Sequence, residues 1–147
     1  MSAPFIVTNR HLGDTLGVYL DTPYIGLVFE LPFTTSWADT RKDTFTFLIK
    51  TKYVETFEGW DGHPVVLNGI EIGRIKDSKN AQGNIEATRI EVKASEHPEA
   101  FKKDAQNTLR ISVDKKNQSG EGLLDDFILT DIETENFGAV LGWVYQP

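Results

Sequence analysis

Three carboxylates stand close together late in the chain: Asp125, Asp126 and Asp131. Such a group could share acid–base work, which needs two carboxylates, or a carboxylate and a histidine, in one cleft. It could also offer oxygen ligands to calcium, a hard cation that takes several carboxylate and carbonyl oxygens. Asp126 and Asp131 are an odd number of positions apart, so on a continuous strand they face opposite sides. That argues against a catalytic pair, and turn or strand-edge acids are the preferred reading. Calcium at Asp125, Asp126 and Asp131 stays open as a structural site, although the spacing is not that of an EF-hand loop. The histidines, His11, His63 and His97, are far apart and lack the paired spacing of a zinc site. His63 and His97 each precede a proline and are expected as exposed boundary residues. There is no Gly-x-Ser-x-Gly elbow. Gly120-Glu121-Gly122 runs into Leu123-Leu124, without the Lys of a phosphate loop. The chain has no cysteine, so thiolate metal sites, cysteine nucleophiles and disulfides are excluded. No catalytic set emerges, and a non-enzymatic protein is expected.

Aromatic residues are the better lead. A sugar ring presents a C–H face that stacks on Trp or Tyr, while polar neighbours take its hydroxyls. Trp60 lies in the run Phe57-Glu58-Gly59-Trp60-Asp61-Gly62-His63, and Trp37 lies in Ser36-Trp37-Ala38-Asp39. Both read as loops with hydrogen-bonding groups nearby. The expected ligand set is Trp60 and Trp37 for stacking, with Asp61, His63, Asp39 and Arg41 as polar contacts. The competing reading makes each Trp a plug at the end of the core, since Trp is mostly buried.

The elements that must hold these residues are strands. Val65-Val66-Leu67 meets Asn68-Gly69, and Ile70, Ile72 and Ile75 follow among polar residues. Asn-Gly is the dipeptide that a type I′ turn demands, so a β-hairpin is expected. Gly73 suggests a bulge or a close backbone approach in its second strand. Period-two patterns predict further strands over 17–20, 25–31, 43–51, 85–92, 108–113, 127–133 and 139–145. The 25–31 strand is expected to stop at Pro32. In the 43–51 strand Phe45, Phe47 and Ile49 share a parity, as do Leu109, Ile111 and Val113 later; each set is expected to face inward. In the 85–92 strand Ile85, Ala87, Ile90 and Val92 are the apolar set. Ser95, early acids and late lysines predict one short helix over 95–103. Residues 114–122 read as a polar loop.

Three of these segments, taken in order, resemble the galactose-binding-like jelly-roll superfamily. They are Val66-Leu67-Asn68-Gly69 with Ile72-Gly73, then Asn107-Thr108-Leu109-Arg110-Ile111-Ser112-Val113, then Asp125-Asp126-Phe127-Ile128-Leu129-Thr130-Asp131-Ile132. Ala105-Gln106 stand where the family commonly has a Gly. The resemblance covers roughly residues 43 to 133. It implies an all-β jelly-roll sandwich, the type of carbohydrate-binding modules and of glycosidase accessory domains, often with a structural calcium. The matching residues are framework residues, so the resemblance assigns no ligand contact. Many short strands at regular spacing point the same way. The expectation is one domain over 1–147, all-β, with about eight to ten antiparallel strands and one short helix.

Composition bounds the partners. The 147 residues carry a net charge of −7, which repels phosphate backbones, so nucleic acid is not expected. No apolar run approaches the roughly 18 residues of a membrane span. The first ten residues lack a basic region followed by a long apolar one, so a cleavable secretory signal is not expected there. Cytoplasm, or a particle, is expected rather than Sec export. The leading expectation is a lectin-like carbohydrate-binding module, acting as a homo-oligomer because single sugar contacts are weak. The alternative is a structural or adaptor subunit of a larger assembly, of phage-tail or contractile-injection type, with a protein partner instead of a glycan.

Overall fold

The computed structural model describes residues 5–13, 22–36, 44–54, 62–76, 84–93, 96, 106–113, 126–135 and 139–141. They form ten strands: β1 (Phe5–Leu12), β2 (Tyr24–Gly26), β3 (Val28–Ser36), β4 (Thr44–Lys52), β5 (His63–Leu67), β6 (Ile70–Ile75), β7 (Glu86–Lys93), β8 (Gln106–Ser112), β9 (Phe127–Glu135) and β10 (Ala139–Leu141). The described residues include no helix. The expected 95–103 helix lies outside them except for Glu96, a turn residue whose N–H donates to the Lys93 carbonyl at 3.0 Å. The expected strand at 17–20 and the 114–122 loop also lie outside. No helix is long and apolar enough to cross a membrane among the described residues.

The strands make two five-stranded sheets, ordered β2-β1-β9-β4-β7 and β10-β3-β8-β5-β6. All pairings are antiparallel except β1 with β2. The sheets pack face to face as a sandwich. Phe33 of β3 meets Phe47 of β4 edge-on at 6.2 Å, and His63 of β5 stacks on Phe127 of β9 at 4.5 Å. The inward parity sets behave as expected: Phe45, Phe47, Ile49, Leu109 and Ile111 are buried, and Val113 packs half-buried against them. Burial of such side chains contributes roughly 1.5–3 kcal/mol each.

The hairpin forms in two residues. Asn68 has φ 50° and Gly69 has φ 85°, so Leu67 faces Ile70. Both expectations for Gly73 are met. The register slips between Val65 and Val66, and a Cβ on Gly73 would sit 2.9 Å from Ile90 Cδ1 on the facing sheet. The Asn68 carboxamide then ties the hairpin to β8. Its Nδ2 donates to Asn107 Oδ1 at 2.8 Å, and its Oδ1 accepts from the Thr108 N–H at 2.8 Å. The Asn68 N–H donates to the Thr108 carbonyl at 2.9 Å.

Several expectations are corrected. Pro32 does not end its strand but pairs with Thr108 inside β3. On its other side β3 meets β10 only over Thr34–Ser36, so the missing N–H of Pro32 leaves no ladder bond unmade there. Ahead of it, the expected 25–31 strand is broken at Leu27, where the chain leaves the first sheet for the second. β1 lies outside the strands that period-two patterning predicts. Its alternation is interrupted between Val7 and Arg10, where the register shifts and Asn9 adopts φ 47°. Of the apolar set expected in β7, only Ile90 and Val92 face inward. Ile85, just before the strand, is 58% exposed, and Ala87 shares its outward parity.

Candidate functional site

Unusual backbone collects at one end of the sandwich. Gly13 follows β1 with φ 150°, Gly26 closes β2 with φ 94°, Tyr53 follows β4 with φ 65°, and Gly62 precedes β5 with φ 92°. The strand registers bring these four to the same end. Leu12 pairs with both Gly26 and Phe127, and Lys52 with Ile128. His63 bridges the sheets by stacking on Phe127. A left-handed backbone is a genuine outlier for a bulky residue such as Tyr53, and such strain concentrates at functional sites.

At this end Asp126 reaches His11. Nε2 and Oδ1 are 2.6 Å apart, a short charge-assisted hydrogen bond. A carboxylate accepts, so His11 Nε2 carries the hydrogen. The His11 side chain is only 1% exposed. The buried ring ties β1 to the entry of β9. Gly13 is required beside it, because a Cβ there would lie 2.0 Å from Asp126 Oδ1. Tyr24 completes the cluster. Its ring leans on His11 with centroids 5.0 Å apart, and its hydroxyl donates to the Gly13 carbonyl at 2.7 Å. The residue is nevertheless 37% exposed. Leu27, beside it in sequence, is 44% exposed.

Gly62 is fixed from the second sheet. Arg74 donates from one guanidinium nitrogen to the Gly62 carbonyl at 3.0 Å, and is itself held by Glu71 at 2.9 Å. A Cβ on Gly62 would lie 2.6 Å from the Ile75 carbonyl oxygen. Comparison with protein-family models, with curated proteins and with solved structures found no match. The site must therefore be read from its own geometry.

His63 is not the exposed boundary residue that its place before Pro64 suggests. It is fully buried, because it starts β5 on the inward parity of Val65 and Leu67. Trp60, Asp61, Trp37, Asp39, Arg41 and Asp125 lie outside the described residues. Gly62, which follows Asp61, is at the Tyr24 end. Ser36, which precedes Trp37, is at the opposite end of the second sheet. There β3 runs past Asn107, whereas His63 lies beyond the Ile111 end of β8.

Asp126 and Asp131 are not brought together. Asp126 binds His11, while Asp131 sits farther along β9, opposite Val7 and Lys50. The parity argument for them also fails physically. Thr130 is bulged out of the β4 ladder, so Leu129 and Ile132 both face inward and the alternation resets. The Thr130 hydroxyl donates to the Lys50 carbonyl at 2.9 Å and secures that bulge. No three His, Asp or Glu side chains gather to hold a metal ion among the described residues. Sequence reading missed His11, Gly13 and Tyr24. Nothing local could join His11 to Asp126 across 115 positions.

Proposed function

We propose that the chain is a non-catalytic binding module of galactose-binding-like, jelly-roll type, taking carbohydrate at the end framed by Tyr24, Gly62 and Asp126. Tyr24 carries this reading. The residue is exposed, yet its hydroxyl is anchored on Gly13 and its ring packs at a tilt against buried His11. A ring held in place loses little freedom when a sugar face stacks on it, which lowers the cost of binding. The strained backbone at Tyr53 supports the same end. In this reading Trp60 supplies a second stacking ring and Asp61 a polar contact, while His63 supports them from within the core. Trp37, Asp39 and Arg41 remain further candidate contacts in this reading. Asp126 is engaged by His11, so the reading does not route through calcium.

The test is a calorimetric titration with a panel of neutral and acidic sugars. One sugar class is expected to bind. Tyr24→Ala should weaken it by at least about fivefold, the equivalent of roughly 1 kcal/mol of stacking. Tyr24→Phe keeps the ring and should retain most of the binding. Absence of heat with every sugar, or equal binding by Tyr24→Ala, overturns the reading. The assembly-subunit alternative is favoured by one observation, the exposed apolar Leu27 beside Tyr24. It predicts a mass that rises with concentration in light scattering and falls back in Leu27→Ser.

A further inference from the structure

Asn68-Gly69 is chemically as well as conformationally distinctive. The backbone nitrogen of a residue after Asn can attack the Asn side-chain carbonyl carbon. A new C–N bond closes a five-membered imide, and the side-chain nitrogen leaves as ammonia. Water then opens the imide to aspartate or isoaspartate. Glycine at the second position favours the attack, because no Cβ shields its nitrogen. Gly69 is exposed, and a Cβ there would meet nothing within 4 Å, so no neighbour crowds the second residue of the turn.

The carboxamide is nevertheless held at both of its polar atoms. Nδ2 donates to Asn107 Oδ1 and Oδ1 accepts from Thr108 N–H, both on β8. Asn107 is fully buried, so water does not compete for that contact. Rotation of the carboxamide toward Gly69 requires both bonds to break together. We propose that Asn68 is a latent modification site, closed by β8 in the folded protein and converted to aspartate or isoaspartate whenever β8 parts from the hairpin. The product is not neutral. Isoaspartate adds a backbone atom to a two-residue turn, which cannot keep Leu67 opposite Ile70. Each excursion that ends in isoaspartate therefore removes one molecule from the folded pool, whereas the aspartate product keeps the length of the turn.

The test is peptide mass spectrometry of the intact chain incubated at mildly alkaline pH. The Asn68 peptide should stay an amide in buffer and gain the mass of an acid in denaturing urea. Asn107→Ala should convert roughly tenfold faster than the unmutated chain, the factor that loss of one side-chain hydrogen bond permits. Should that variant fail to fold, a second measurement applies to the unmutated chain. Across sub-denaturing urea, conversion should rise in step with hydrogen exchange at the Thr108 amide, which reports the same opening. Equal conversion in buffer and in urea overturns the proposal. So does conversion that stays constant while Thr108 exchange accelerates.

Discussion

Two glycines separate steric crowding from backbone strain. Gly13 and Gly26 both have positive φ, but a Cβ on Gly13 collides with Asp126 whereas one on Gly26 meets nothing within 4 Å. Gly26→Ala should cost about 1 kcal/mol from its left-handed backbone alone. Gly13→Ala should cost roughly 1–3 kcal/mol more, because it also forces Asp126 away from His11. Urea unfolding of the two variants checks the difference, and equal losses would remove the reason given for Gly13. Lys50 tests the electrostatics. Its Nζ donates to Glu133 Oε1 at 3.1 Å, and the nearby charge of Asp131 adds to the effect, so its pKa is raised above the ordinary 10.5. A raised lysine contributes stability that is complete below its unfolded value and is lost as pH rises through the folded one. Lys50→Met should thus lower the melting temperature slightly at neutral pH, by the small amount a half-exposed pair contributes, and flatten the alkaline decline by that same amount. An unchanged alkaline decline would count against this ion pair.

Close approach between elements has its own test. Gly73 lets β6 lie against Ile90 of β7, and the nearest atom is the tip of a flexible side chain. Gly73→Ala should destabilise by about 1 kcal/mol, and adding Ile90→Val, which deletes that tip, should recover part of it. A double-mutant cycle with no coupling would show that the contact is slack. The same elements show what the sequence could reveal. The hairpin was legible because Asn-Gly fixes its turn within two residues, and so were the parities of β4 and β8, which run without a bulge. β1 and the late acids were not, since bulges at Thr8-Asn9 and at Thr130 reset the alternation on which parity depends. His63 was misjudged because burial beside a proline is decided by the facing sheet. The candidate site was legible only in part. Its loop composition was visible, but the meeting of Tyr24, His11 and Asp126 is a product of strand order.

At the scale of the whole molecule, the two sheets leave edges that must not recruit other chains. β7 is an eight-residue edge strand, and its outward side chains include exposed Arg89, Glu91 and Lys93. Charges on an edge oppose strand addition. Replacing all three with Thr should leave the core intact yet cause concentration-dependent association, visible as a rising light-scattering mass. A variant that stays as monodisperse as the parent would show that the edge is guarded by something else. The Asn68 clamp has a consequence in time as well as in space. The turn and its partners on β8 are separated by 39 and 40 positions. At a synthesis rate of about 5–20 residues per second, the hairpin waits roughly 2–8 s on the ribosome before Asn107 and Thr108 exist. Throughout that interval the hairpin has only its own turn and the β5–β6 ladder to hold it. No substitution within the hairpin can shorten the wait, which is written into the distance between the two segments.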